Sequence, residues 1–221
     1  MFSTPGSSDF DLNFRLLGFP IQVSPSFWLS SVLLGWPIMQ ASGGGPEGFL
    51  TLATWVGVVF ISILVHELGH ALAARSLGYR PYIHLYFMGG AAFSEIKFGW
   101  RQFYVAAAGP LAGFLLFALC YFLVLFRILP DSQTIQFFFW INLVWTIFNL
   151  FPIYPLDGGQ MLQGFTQAVV PRWSISITHT IGALGGALGA IYFFTQKNIY
   201  MAVMLGLLCM TNIEILQANR R

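Results

Sequence analysis

Apolar residues in this chain gather into runs too long for the alternating or 3.6-residue patterns of a soluble fold. Six such runs stand out, at 27–39, 49–77, 103–128, 135–151, 175–194 and 199–216. The second and third easily supply the roughly 20 apolar residues a helix needs to cross the hydrocarbon of a bilayer. The first is short, carries Pro37 and ends in a Gly-rich loop at 42–48. The pattern predicts an all-α polytopic membrane protein of about six transmembrane helices, taken as one domain over 1–221, with a polar segment at 1–25.

One connection breaks the helical pattern. Residues 79–95 are aromatic and β-prone, with Gly89 and Gly90 at the middle, and they predict a short β-hairpin. Backbone of this kind lies at membrane depth only where protein or a water-filled cavity covers it. The fifth run carries Gly182, Gly185, Gly186 and Gly189, a small-residue stripe that predicts close helix packing.

Composition agrees with the hydropathy. Of 221 residues, 57% are hydrophobic and 8% charged, against about 25% charged in ordinary soluble domains. The net charge of +2 comes with no dense Lys/Arg run, which argues against a nucleic-acid partner. Cys120 and Cys209 both sit in apolar runs and predict neither a disulfide framework nor a Cys-type zinc site. Asp9 and Asp11 stand where a signal peptide has its basic start, so none is expected.

Charge sets the expected orientation. With the N-terminus in the cytoplasm and six alternating spans, Arg15, Arg75, Arg80, Lys97, Arg101, Arg172, Arg220 and Arg221 fall inside. Only Arg127 and Lys197 fall outside. The positive-inside rule prefers this arrangement, with both termini cytoplasmic in a multi-pass protein of the inner membrane.

The candidate chemistry lies at the cytoplasmic end of the second run, in His66-Glu67-Leu68-Gly69-His70. Histidines at i and i+4 share a helix face, so two imidazole nitrogens reach one tetrahedral ion. Glu67 lies about 100° around the helix from His66 and suits a general base acting on water rather than a third ligand. The same polar residues lining a transport path, without hydrolysis, is the alternative. A catalytic zinc needs a third protein ligand and an open position. Asp157 is favoured, because it falls on the same membrane side and follows Pro152 and Pro155, which break the fourth helix. Gly158 and Gly159 are expected to allow tight turns beyond it. His179 and Glu214 are rival ligands, more simply read as a helix–helix hydrogen bond and an interfacial side chain.

These residues resemble the site-2 proteases, a family of intramembrane zinc metalloproteases. The resemblance rests on His66 to His70, on Asn149-Leu-Phe-Pro-Ile-Tyr-Pro-Leu-Asp-Gly-Gly, and on Ala108-Gly-Pro-Leu-Ala-Gly. It covers about residues 20–160, with a catalytic core at about 49–160. It implies one zinc ion held by His66, His70 and Asp157, with Glu67 as general base. It implies Asn149 near the substrate or its oxyanion, and Asn142 in a second substrate-side position. The Gly89–Gly90 hairpin would pair with an unwound segment of a single-span membrane protein, cleaved in or near its transmembrane segment. Neither the PDZ-like insert nor the C-terminal CBS pair of larger members is expected.

Overall fold

Positive φ at Gly43, Gly44 and Gly45, followed by Pro46 and Glu47, turns the chain sharply into the longest helix. Proline suits the first helical turn and an acidic residue there complements the helix dipole. The computed structural model describes residues 10–87, 89–93 and 99–219. In chain order these form β1 (Leu12–Leu16), β2 (Phe19–Val23), α1 (Pro25–Ala41), α2 (Gly45–Ser76), β3 (Tyr82–Tyr86) and β4 (Gly89–Phe93). They continue as α3 (Gly99–Leu125), α4 (Gln133–Asn149), α5 (Asp157–Val169), a 3-10 turn (Pro171–Trp173), α6 (Ser174–Thr195) and α7 (Ile199–Asn219). Lys97, Arg220 and Arg221 of the charge pattern lie outside the described residues, as does Glu95.

Packing divides the chain into two compact units, Met1–Glu95 with Leu111–Trp145, and Ile96–Pro110 with Thr146–Arg221. The boundary cuts α3 after Pro110 and α4 after Trp145.

The first unit holds a four-stranded sheet in the order β1-β2-β3-β4. β1–β2 and β3–β4 are antiparallel, while β2 and β3 run parallel with Ile21 opposite Ile83 and Val23 opposite Leu85. Residues 12–23 of the expected polar segment therefore supply two of the four strands. Phe19, Ile21 and Val23 alternate inward with Ile83 and Leu85, and they pack on Phe27 of α1 and on Val59, Ile63, Leu64 and Ala71 of α2. Gly89 pairs with Tyr86 and Gly90 with Leu85, so both glycines open β4 rather than form the turn. β4 is an edge of the sheet. Pro37 does not end α1, which continues to Ala41.

The second unit is built on close backbone approaches. Gly164 of α5 lies against Phe103 and Gly99 of α3, where an added Cβ would sit 2.7 Å from Phe103 N. Gly186 does the same to Cys209 and Leu205 of α7, Gly182 and Gly189 face the Asn212 and Leu205 side chains of α7, and Gly185 faces Ile153, so most of the small-residue stripe of α6 lies in the α6–α7 contact. Cys209 and the buried Cys120 are both free.

Among the described residues, four helices, Gly45–Ser76, Gly99–Leu125, Pro171–Thr195 and Ile199–Asn219, are long and apolar enough to cross a membrane. α1 and α4 coincide with the other two apolar runs but have 17 residues each. Leu184, Leu188, Ile191 and Phe194 of α6 and Val203, Leu207 and Met210 of α7 are exposed, an apolar surface suited to lipid.

Gly158 and Gly159 do not turn the chain. They are the second and third residues of α5. An added Cβ at Gly158 would overlap the Leu150 carbonyl, and one at Gly159 would overlap Tyr154 N. Gly158→Ala should therefore cost about 1–3 kcal/mol or more, since backbone cannot yield as a side-chain tip does. A thermal melt of the purified chain in detergent checks this; an unchanged melting temperature contradicts it.

Candidate metal centre

The His66 and His70 pair is set by helix geometry in α2. Both rings are buried, at 2% and 7% exposure, in a core a bare imidazole pair would not favour without partners. Their Nε2 atoms lie 3.2 Å apart, with ring centroids 4.9 Å apart and planes at 81°. Two nitrogens each about 2.0–2.1 Å from a tetrahedral zinc are roughly 3.3 Å apart. The pair thus fits the ion with little movement. Trp145 of α4 packs edge-on to the His66 ring, with centroids 6.4 Å apart.

Glu67 is also buried and points at β4. A Cβ added at Gly90 would sit 2.8 Å from Glu67 Cγ, 3.0 Å from its Oε1 and 2.6 Å from Leu85 Cδ2. At Gly89 the nearest atom would be 3.6 Å away, on Trp145. The two glycines are not equivalent: only Gly90 is required for the Glu67 carboxylate to lie against the strand.

Asn142 of α4 is fully enclosed. Its amide donates to Ser62 Oγ at 2.9 Å and to the Phe138 carbonyl at 2.7 Å. Both amide hydrogens are thereby used, which leaves the carbonyl oxygen as the group it can offer a substrate. Ser62 lies one helical turn before His66, so this bond ties α4 to the histidine-bearing face of α2. Sequence reasoning missed Ser62 and Trp145, because neither carries a motif and both matter only through contacts across helices.

Asn149 is the last residue of α4 and is buried. After it the chain makes a run of tight turns, with Phe151 N bonded to Phe148 O, Ile153 N to Phe151 O and Leu156 N to Ile153 O. α5 then begins at Asp157. The segment expected to unwind is thus only seven residues long, and the carboxylate opens a new helix. A carboxylate in the first turn is favoured by the exposed N–H groups there. Asp157 is 6% exposed, and a buried carboxylate needs strong compensation.

Among the described residues, His66, His70 and Asp157 make up a group of three buried donors able to hold a metal ion. Two imidazoles and one carboxylate are a donor set typical of catalytic zinc. The rival ligands are placed elsewhere. His179 of α6 bonds Asn212 of α7, and Glu214 is exposed on α7.

A model of peptidase family M50 matches residues 131–191, the stretch holding Asn142, Asn149 and Asp157. A putative zinc metalloprotease of Synechocystis is 35% identical over 185 residues, 76% of this chain and 46% of that protein. The chain is similar to members of peptidase family M50. A zinc metalloprotease of Methanocaldococcus jannaschii is 30% identical over 157 residues, covering 68% of this chain and 43% of the relative. A putative zinc metalloprotease of Mycobacterium tuberculosis is 30% identical over 165 residues, covering 68% and 42%. The chain spans less than half the length of these curated relatives. It also shares its fold with a site-2 protease from Methanocaldococcus jannaschii, at a TM-score of 0.65 and 20% identity, over 93% of this chain and 94% of that one. With its apolar helices, the chain is an integral membrane protein.

Proposed function

We propose that the chain is an intramembrane zinc metalloprotease that hydrolyses peptide bonds in or near transmembrane segments of single-span membrane proteins. The observation that carries this reading is the buried His66–His70 pair, with Nε2 atoms 3.2 Å apart and Glu67 between them in sequence, on a helix long enough to span a bilayer. The similarity to zinc metalloproteases supports the same chemistry.

In this reading His66, His70 and Asp157 hold one zinc ion. When bound, it supplies Lewis-acid chemistry and lowers the pKa of its water. Glu67 takes a proton from the attacking water on its carboxylate and delivers it to the leaving amine. Asn149 donates a hydrogen bond to the oxygen on which charge develops. A helix shields its own peptide groups, so the substrate must unwind. The free edge of β4 offers replacement backbone hydrogen bonds to an added strand. Gly89 leaves space at that edge, and Asn142 offers its carbonyl oxygen.

The same reading takes the chain as one catalytic domain with six membrane spans, α1 and α4 included, in the inner membrane with both termini cytoplasmic. The arginines at 15, 75, 80 and 101 support that side. A transport path lined by these polar residues is the second reading. It gives Glu67 no hydrolytic role.

Two measurements test the proposal. Membranes of cells producing wild-type protein or Glu67→Gln are compared by quantitative proteomics. Single-span proteins should accumulate intact with the variant, and identical profiles would sink the proposal. Gly90→Val should lower kcat roughly 10- to 100-fold at near wild-type zinc content, because its Cβ would sit 2.8 Å from Glu67 Cγ and displace that side chain, while crowding of the buried Leu85 at 2.6 Å lowers the melting temperature as well. Full turnover in that variant would separate β4 from the catalytic base.

A further inference from the structure

The proposed zinc ligand Asp157 is reached through a short turn, and that turn is gripped from outside. Asn212 of α7 is completely buried and donates to the Tyr154 carbonyl at 2.7 Å and to the Leu208 carbonyl at 2.8 Å. Both contacts are carbonyl oxygens, so the amide nitrogen must face them and Oδ1 must face the other way. Oδ1 lies 2.8 Å from His179 Nδ1. An oxygen acceptor there makes Nδ1 the donor. The His179 ring also stands edge-on to the Tyr154 ring, with centroids 5.1 Å apart and planes at 75°. Gly182 makes the approach possible, since a Cβ there would overlap Asn212 Oδ1. Tyr154 is in turn pressed on α5, because Gly159 has no room for a Cβ against Tyr154 N. The chain of contact therefore runs from His179 to Asn212, to the Tyr154 carbonyl, to the first turn of α5 that begins with Asp157.

We infer that His179 and Asn212 are positioning residues, which hold the turn at 150–156 so that the Asp157 carboxylate is presented in one orientation for zinc. This gives α6 and α7 a task beyond spanning the membrane. The inference rests on the reading of Asp157 as a ligand. Both amide hydrogens of Asn212 and its Oδ1 are engaged, and a buried network bonded in this way confers rigidity. The partners that orient metal ligands are worth about 10- to 100-fold in metal affinity when removed, and this grip acts one step further out.

The test uses the full chain in detergent. Zinc affinity is measured by competition with a chromophoric chelator, and ligand geometry by the visible spectrum of the Co2+-substituted protein. Asn212→Leu and His179→Phe should each weaken zinc binding about tenfold and alter the Co2+ spectrum. His179→Gln, which keeps a donor for Asn212 Oδ1, should recover most of the loss. Gly189→Ala is the structural control. It crowds the buried Leu205 side chain of α7, where its Cβ would sit 2.8 Å from Cδ1, without touching the grip. It should lower the melting temperature and leave the spectrum unchanged. Wild-type affinity and spectrum in both grip variants, with binding lost in Asp157→Ala, overturn the grip alone. An effect of Gly189→Ala equal to that of Asn212→Leu also overturns it, since packing would then suffice. Wild-type zinc affinity in Asp157→Ala overturns the ligand reading, and the grip with it. Should Asn212→Leu fail to fold, His179→Phe carries the comparison, because it keeps the Asn212 bond to Tyr154.

Discussion

Glu67→Gln should abolish peptide hydrolysis, lowering turnover by about 10²–10⁴-fold, and leave bound zinc in place. The amide matches the carboxylate in shape, so it fits the space that the absent Cβ of Gly90 leaves against β4. Its oxygen takes no proton near neutral pH, so the step that activates water and the step that protonates the leaving amine both fail. His66 and His70 keep their 3.2 Å separation in α2, and nothing in the substitution removes a metal donor. The measurement pairs zinc content by atomic absorption with cleavage of an accumulated substrate identified from membranes. Zinc-dependent cleavage surviving at the wild-type rate would refute the general-base assignment. Loss of zinc together with activity would mean that Glu67 itself is a ligand.

His70→Ala and Asp157→Ala should each lose zinc, with affinity falling by more than about 100-fold. Removing a direct ligand costs more than the 10- to 100-fold typical of the groups behind it. A tetrahedral catalytic site with three protein donors has none to spare. Equilibrium dialysis against buffered zinc reads the loss directly. Glu214→Ala is the informative comparison. Glu214 is exposed on α7, so its removal should leave zinc binding unchanged. Retention of zinc in Asp157→Ala with loss in Glu214→Ala would transfer the third ligand to α7.

Sequence reasoning reached the catalytic motif for a local reason. An i, i+4 spacing on a helix fixes side-chain placement within one turn, whatever the rest of the fold does. The helices were legible for a related reason. Each satisfies its own backbone hydrogen bonds and advertises its length through continuous hydropathy, and all six apolar runs are helices in the structure. The Gly182–Gly189 stripe likewise announced a close contact, although nothing local named α7 as the partner.

What remained hidden was non-local. Residues 12–23 look polar in isolation because only alternate positions are apolar. They become strands through the parallel pairing of Ile21 with Ile83, some 60 residues away. Gly89 and Gly90 are adjacent and alike in sequence, yet opposite faces of β4 give one of them the Glu67 side chain as a neighbour and leave the other open. Gly158 and Gly159 suggest a turn by type. They serve instead as thin places in a helix against the preceding turn, which only packing reveals. His179 was a candidate ligand until its Nδ1 was found bonded to Asn212. The sequence by itself determined the apolar helices, the His66–Glu67–His70 set and the acidic residue after the proline break, since these follow from spacing and chain composition. The tertiary structure alone decided the four-stranded sheet, the separate duties of the glycines and the partner of His179, because each depends on which distant backbone comes within a few ångströms.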